Sequence, residues 1–186
     1  MKLLLLVEKG EEVYYKPLIE LCKRRNLSVE IVSYLWKYST QKQIAEKVAL
    51  KLRDSNSIIL GFSLGALIAL LSVAKTGLKY KHLILCSTTP LFFGTNFPKN
   101  VKEHLGKKRV QEAINTKMLD LVKSINNTPT TILVGGNEDK EIVRQNMALS
   151  NKMSKSYFLN IKNTGHDIHA PEYLKEINSV LLKITG

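Results

Sequence analysis

Short apolar runs alternate along the chain with longer segments in which apolar residues recur every three to four positions. Short runs are typical of buried strands, and the longer period is typical of helices with one face on a core. The pattern predicts six strands, near residues 2–7, 27–32, 58–60, 82–86, 130–134 and 156–161. It predicts helices near residues 13–25, 40–53, 64–75, 101–105, 109–125, 140–150 and 171–184.

This alternation is typical of a mostly parallel sheet covered by helices on both faces, a three-layer α/β/α architecture. The rhythm is interrupted only between residues 87 and 128, where the sequence predicts an irregular aromatic stretch and short helices. No Pro-rich or Gly-rich linker divides the chain. We therefore expect a single domain over residues 1–186, with a helical insertion at about 87–128.

The sequence GFSLG, residues Gly61–Gly65, lies between the third strand and the next helix. A serine held in such a sharp turn takes a strained backbone conformation, and the flanking glycines leave room for the backbone around it. The turn exposes the hydroxyl and directs the first helix amides toward the place where an oxyanion forms. This context predicts a nucleophile elbow at Ser63, although an ordinary turn serine would also fit the pattern.

Two further loops lie where partners of Ser63 are expected, since functional residues of parallel sheets collect at the carboxyl ends of the strands. The loop after the fifth strand carries Glu138 and Asp139, and the loop after the sixth carries His166. An imidazole can take the serine proton, and a carboxylate can orient that imidazole. His169 is an alternative to His166, but the loop position after a glycine favours His166. Asp139 would also serve as the N-cap of the following helix.

The elbow at Ser63, the loop at 133–139 and Gly165-His166, in this order, resemble the α/β-hydrolase superfamily over nearly the whole chain. The resemblance implies an α/β-hydrolase fold that begins at the family's third strand. It also implies a serine hydrolase with Ser63 as nucleophile and His166 as general base and then acid. It favours Asp139 over Glu138 as the orienting acid, because the family usually has its acid four residues past the first glycine of this loop.

The resemblance also implies an oxyanion hole with two backbone donors. The first is the N–H of Leu64, the residue after the nucleophile. The second comes from the loop after the first strand, where many family members have a His-Gly pair and this chain has Glu8-Lys9-Gly10. We expect the N–H of Lys9, or of Glu8, to fill that role, which also brings charged side chains close to the pocket.

Four aromatic residues are candidates to line an apolar substrate pocket, with core packing as the alternative: Phe62, Trp36, Phe92 and Phe93. The small insertion favours short or medium acyl esters or thioesters as substrates. The same residues would serve peptide, amide or carbon–carbon bond hydrolysis, and a catalytically weak binding protein on the same fold is a third possibility. No metal or organic cofactor is expected.

The net charge of +12 comes from 28 Lys and Arg against 16 Asp and Glu. Because the basic residues are spread over most predicted helices, without a nucleic-acid motif, the charge does not favour nucleic-acid binding. The first apolar run, residues 3–7, is too short for a signal peptide or a membrane span. Cys22 and Cys86 lack metal-ligand or redox spacing and are expected to be buried thiols, so we expect a cytoplasmic protein.

Overall fold

The computed structural model describes residues 1–89, 105–125 and 127–186 of the chain. The strands are β1 (Lys2–Glu8), β2 (Ser28–Tyr34), β3 (Ile58–Phe62), β4 (His82–Cys86), β5 (Thr130–Gly135) and β6 (Ser156–Ile161). The α-helices are α1 (Lys16–Arg24), α2 (Gln41–Ala49), α3 (Leu64–Thr76), α4 (Lys107–Asn115), α5 (Met118–Ser124), α6 (Lys140–Lys152) and α7 (Pro171–Thr185). The six predicted strands are confirmed.

The strands form one open sheet in the order β2-β1-β3-β4-β5-β6, and every neighbouring pair is parallel. Successive side chains of a strand point to opposite faces. In β1, Leu3 and Leu5 therefore join the core under α1 and α7, while Leu4 and Leu6 join the core under α2, α3 and α6. The predicted three-layer arrangement around a parallel sheet is confirmed.

Helix α3 lies at the centre of the second of these cores. Its residues are apolar on nearly every side, and Leu67, Ile68 and Leu70 are fully buried. It ends at Gly77, whose φ of 65° is the left-handed conformation that glycine adopts at little cost. Neither α3 nor any other helix in the described part of the chain has the length and hydropathy needed to cross a membrane.

Both cysteines are buried free thiols, as predicted. Cys22 lies on α1, and burial raises the pKa of its thiol to about 11. Cys86 is the last residue of β4 and is fully buried below the sheet edge that carries the candidate site. The uncharged thiol form of both is favoured in these apolar surroundings.

Three predicted helices differ from those observed, and the helix predicted near 101–105 lies outside the described residues except for its last position. The helix predicted over 40–53 ends at Ala49. The helix predicted from residue 13 begins with a 3-10 turn, Glu12–Tyr15, and α1 starts only at Lys16, because Pro17 fits the first turn of an α-helix and not its interior. The helix predicted over 109–125 is two helices, α4 and α5. The chain is extended at Thr116 between them, where the threonine hydroxyl donates to the Glu112 carbonyl instead of continuing the helix.

The turn between β3 and α3 is packed too tightly for side chains at its two glycines. A Cβ at Gly61 would lie 2.3 Å from the Gly65 carbonyl oxygen, and one at Gly65 would lie 2.7 Å from the Leu6 carbonyl oxygen. Between them Ser63 has φ 52° and ψ −117°, a conformation that L-residues rarely adopt. The expectation that both glycines are needed for space is confirmed.

We expect Gly61→Ala to destabilise the protein by at least about 1–3 kcal/mol, because the added methyl group meets backbone that cannot move aside cheaply. Gly165→Ala is the matched control, since a Cβ there meets nothing within 4 Å. Urea unfolding of both variants and the parent measures the difference. Equal stability of the Gly61→Ala variant and the parent would contradict the packing argument.

Candidate active site

Three loops at the carboxyl ends of β3, β5 and β6 bring a hydroxyl, a carboxylate and an imidazole together. Ser63 Oγ lies 2.9 Å from His166 Nε2. His166 Nδ1 lies 2.8 Å from Glu138 Oε2. The three side chains, which come from positions far apart in the sequence, therefore form one continuous hydrogen-bonded line.

The chemistry of the three groups assigns the protons along this line. An ionised carboxylate only accepts hydrogen bonds, so His166 carries its proton on Nδ1 and donates it to Glu138. Nε2 of the neutral ring then has a free lone pair, which accepts the O–H of Ser63. This arrangement is the one that a general base needs before it takes the proton of a nucleophile.

The acid in this line is Glu138 and not Asp139, so the predicted pairing of Asp139 with His166 is wrong. Asp139 is the N-cap of α6, and its carboxylate accepts the backbone N–H of Glu141 at 2.7 Å. The loop turns back on itself just before this cap, with the Glu138 N–H donating to the Gly135 carbonyl at 3.2 Å. That turn directs Glu138 inward and Asp139 toward the start of the helix.

The Glu138 side chain has no exposed surface, yet its carboxylate is well supplied with donors. Oε1 accepts the backbone N–H of Gly135 at 2.9 Å and a short hydrogen bond from the Ser87 hydroxyl, while Oε2 accepts from His166. Burial by itself would raise the pKa of this carboxyl, but the hydrogen bonds from His166, Ser87 and Gly135 outweigh burial and lower the pKa. Glu138 is therefore an anion at neutral pH.

Ser87 and Tyr173 support this carboxylate from below. Ser87 follows β4, is fully buried, and has a φ of 47°, a second strained residue at this edge of the sheet. Because its proton goes to Glu138, Ser87 Oγ can only accept from the Tyr173 hydroxyl at 2.7 Å, and the single Tyr173 proton is shared with the Leu133 carbonyl at 2.9 Å. The network ties the acid to β4, β5 and α7 together, so its position is fixed by three elements.

A second hydroxyl, that of Thr89, lies 3.1 Å from Ser63 Oγ. No functional role is predicted from the sequence for Thr89, Ser87 or Tyr173. One pattern pointed to the first two, since Ser87-Thr88-Thr89 directly follows β4 at the same edge as the other loops. Tyr173 lies inside α7, and the apolar periodicity of that helix predicts only a buried core position for it.

The two predicted oxyanion donors differ in their surroundings. Leu64 is the first residue of α3, where backbone N–H groups have no acceptor within the helix. The N–H of Lys9 instead donates to the Tyr34 carbonyl at 2.7 Å, extending the hydrogen bonding of β1 with β2. The expectation for Lys9 is therefore wrong, since its donor is already used.

Ser63 and His166 lie in a cleft of about 370 Å³. Phe62 lines it, and its ring lies 4.7 Å from that of His166, centroid to centroid. Trp36 is not among the described residues of the cleft wall, because its ring packs under the Arg109 guanidinium at 4.1 Å. The predictions for Phe92 and Phe93 concern positions outside the described residues.

The described lining of the cleft carries three carboxylates, from Glu8, Glu11 and Asp167, and neither Lys nor Arg. Asp167 accepts the backbone N–H of His169 at 2.8 Å and faces its ring Nδ1 at 3.6 Å. Burial raises the pKa of the Glu8 carboxyl, and the neighbouring Glu11 charge adds to that rise, against a smaller opposing effect of Arg109. The described lining of the cleft is therefore acidic although the chain as a whole is basic.

A larger groove of about 890 Å³ lies between α2 and the end of α3, away from Ser63. Its lining mixes apolar side chains such as Leu50 with the charged Lys47, Arg53 and Lys75. Among its described lining residues no nucleophile is paired with a base, so size does not make this groove the active site. Within the described ranges, no three His, Cys, Asp or Glu side chains are grouped to hold a metal ion.

No protein-family model matches the chain, and no curated protein matches it in sequence. Solved structures match it closely in fold. An α/β hydrolase enzyme from a sediment metagenome of the Mar Chica lagoon, Morocco, has a TM-score of 0.70 and 18% identity over 98% of this chain and 89% of that one. Est1E from Butyrivibrio proteoclasticus has a TM-score of 0.73, with 16% identity over 98% and 85%. MenH from S. aureus has a TM-score of 0.66, with 17% identity over 98% and 92%.

These similarities extend over almost the whole chain and most of each matching protein. At sequence identities this low, the similarities show the fold and do not indicate a particular reaction. They agree with the parallel six-stranded sheet of this chain. The chain has the α/β-hydrolase fold.

Proposed function

We propose that the protein is a serine hydrolase that cleaves small or medium acyl esters or thioesters through an acyl-enzyme. The observation that carries the proposal is the hydrogen-bonded line from Ser63 Oγ through His166 to Glu138. Nucleophile, base and orienting acid are within reach of one another and open onto a cleft. That is the geometry required for covalent catalysis by serine.

In the acylation half of the reaction, Ser63 Oγ attacks the substrate carbonyl while His166 Nε2 takes the serine proton. The imidazolium that results is stabilised by the Glu138 carboxylate, whose lowered pKa keeps it charged. His166 then gives its proton to the departing alcohol or thiol. The acyl group remains on Ser63 as an ester.

In deacylation the same residues act on water. His166 takes a proton from a water molecule that attacks the acyl carbonyl, and later returns a proton to Ser63 Oγ. The tetrahedral oxyanion of each half-reaction needs donors on the helix side of the serine. We assign the N–H of Leu64 as the first donor and that of Glu8 as the second, since the Lys9 N–H is bonded to Tyr34.

Among the candidate substrates, an ester or thioester requires the least protonation of its leaving group by this site. An amine leaving group must be protonated as the carbon–nitrogen bond breaks, whereas an activated alcohol or thiol leaves with less assistance. Peptide, amide and carbon–carbon bond hydrolysis therefore remain alternatives on the same residues. A binding protein without turnover is the alternative of a different class, and the intact line at Ser63 argues against it.

We expect the parent protein to be labelled by a fluorophosphonate probe and to hydrolyse p-nitrophenyl esters. Ser63→Ala should abolish labelling and lower kcat by roughly 10⁴-fold or more, because it removes the nucleophile. Intact mass spectrometry and steady-state assays over a series of acyl lengths measure both effects. If the parent neither labels nor exceeds Ser63→Ala on any ester, the hydrolase proposal is wrong.

The two adjacent acids provide a matched pair of variants. Glu138→Gln should lower kcat by roughly 10³–10⁴-fold, because a neutral amide cannot stabilise the imidazolium. Asp139→Asn should leave kcat within about threefold, since asparagine caps helices as well as aspartate does. Steady-state assays with thermal unfolding as a check on folding make the comparison. A larger loss in Asp139→Asn than in Glu138→Gln would refute the assignment of Glu138.

The acidic lining bears on the substrate that the site accepts. Glu8 and Glu11 share the cleft with Ser63, so an anionic substrate meets repulsion there and a cationic group meets attraction. An oxyanion that forms near these carboxylates is also disfavoured, and a positive group on the substrate relieves this effect. The described lining thus favours neutral or cationic acyl substrates over polyanionic thioesters.

Three p-nitrophenyl esters of similar size test this preference: γ-trimethylammoniobutanoate, its uncharged tert-butyl isostere and the monoester of glutarate. We expect kcat/KM to fall in that order, by roughly tenfold from cation to anion at low salt. Glu11→Gln should narrow the range of kcat/KM among the three esters, whereas Glu30→Gln, which removes the same charge from a β2 residue outside the cleft lining, should not. A glutarate ester that is the best of the three would contradict the preference.

A further inference from the structure

The contact between the hydroxyls of Thr89 and Ser63 has no part in the mechanism given above. Their oxygens lie 3.1 Å apart, and the Thr89 N–H also donates to the Ser63 carbonyl at 3.3 Å. Thr89 thus contacts both the side chain and the backbone of the nucleophile. The distance alone leaves open which hydroxyl donates, since either can.

The proton count decides the direction of this hydrogen bond. When His166 carries its proton on Nδ1, facing Glu138, its Nε2 can only accept a hydrogen bond. The single hydroxyl proton of Ser63 is therefore directed to Nε2. Ser63 Oγ is then left with lone pairs only. Thr89 must therefore be the donor and Ser63 Oγ the acceptor.

The segment that carries Thr89 is held by a buried amide. Asn146 on α6 is 2% exposed, and its side chain forms two hydrogen bonds with the backbone of Thr88, accepting from the N–H at 3.1 Å and donating to the carbonyl at 2.9 Å. Its Nδ2 also donates to the Ile142 carbonyl at 2.9 Å. The Thr89 hydroxyl is thereby placed by a helix, which is the rigidity that a catalytic group needs.

Ser63 Oγ changes its strength as an acceptor during the reaction. In the free protein it is an alcohol oxygen, and in the acyl-enzyme it is an ester oxygen, which is a weaker acceptor. As the carbon–Oγ bond breaks in deacylation, Oγ gains negative charge and becomes a far stronger one. A donor fixed beside Oγ is therefore worth more in the transition state of deacylation than in the acyl-enzyme.

We propose that Thr89 is a catalytic residue whose hydroxyl donates to Ser63 Oγ as this oxygen leaves the acyl group, an inference that rests on the proposed serine hydrolase activity. In this step the tetrahedral intermediate collapses, the carbon–Oγ bond breaks, and its electron pair goes to Oγ. Oγ then takes the proton from His166. The Thr89 proton stays on Thr89 throughout, so the step needs no further reactant.

The same donor also serves acylation, but less. The hydrogen bond already exists to the neutral hydroxyl of the free protein, so its loss raises the energy of both the starting state and the transition state. In deacylation the starting state is the ester, whose Oγ accepts only a weak hydrogen bond, so removal of the donor hardly changes the energy of that state. Removal of the Thr89 hydroxyl should therefore slow deacylation more than acylation, roughly tenfold against about twofold.

Thr89→Val tests this prediction, with Thr89→Ser as the variant that keeps the hydroxyl. In stopped-flow assays with p-nitrophenyl acetate, the burst reports acylation and the subsequent decay of the Ser63 adduct, followed by intact mass spectrometry, reports deacylation. The acyl-enzyme of Thr89→Val should persist roughly tenfold longer than that of the parent, and Thr89→Ser should restore the parent lifetime. Fluorophosphonate labelling of Thr89→Val should stay within about threefold of the parent rate.

Thr88→Val is the matched control, because the neighbouring Thr88 hydroxyl is buried without a hydrogen-bond partner among the described residues. It should leave both rates unchanged, and Thr89→Ala replaces Thr89→Val if the latter does not fold. A Thr89→Val acyl-enzyme that decays at the parent rate, or equal slowing of both steps, overturns the proposal for Thr89 alone. Absence of labelling and turnover in the parent overturns the hydrolase proposal, and the role of Thr89 with it.

Discussion

The close approach of α3 to β1 is the constraint on which the site depends. Gly65 lies against the Leu6 carbonyl, and Gly61 lies against Gly65 itself, at distances that exclude any side chain. The strand can turn into the helix over so few residues only because Ser63 adopts φ 52°. Such a conformation costs on the order of 1–3 kcal/mol, and it is held because the apolar α3 is buried on nearly every side.

A second constraint is the buried charge of Glu138. A carboxylate with no exposed surface and no hydrogen-bond donors would not stay ionised. Glu138 is ionised because three donors, from Ser87, Gly135 and His166, bond to its buried carboxylate. Ser87 supplies one of them from a strained position, with its own N–H bonded to the Leu133 carbonyl at 2.7 Å. Strain at Ser63 and at Ser87 thus serves the two ends of the same line.

The sequence predicted those parts of the site that depend on local patterns. The strand rhythm placed Ser63 and His166 in the right loops, because apolar runs and flanking glycines act over a few residues. Which of Glu138 and Asp139 faces His166 depends on the turn in which the Glu138 N–H bonds to the Gly135 carbonyl. Two adjacent acidic residues in a sequence do not indicate the geometry of that turn. The N-cap at Asp139 is a local property, and the sequence predicts it as an alternative role for that residue.

The remaining differences come from contacts between distant segments. The strand predicted to end at residue 32 continues to Tyr34, and that extension is what brings a carbonyl to the Lys9 N–H. Trp36 lies in an aromatic loop that suggested a substrate wall, but Arg109, some seventy residues later, stacks on its ring and donates to its carbonyl. No property of the loop itself indicates that partner.

The charge of the chain and the charge of the cleft act at different ranges. Exposed charges are screened over about 8–10 Å at physiological ionic strength, so the many surface lysines influence which molecules approach but contribute little at the reacting atoms. Glu8 and Glu11 line the same cleft as Ser63, and Glu8 is partly buried there, where a lower dielectric weakens screening. The described lining of the cleft is thus opposite in charge to the chain as a whole, and the net charge of +12 does not predict the charges beside Ser63.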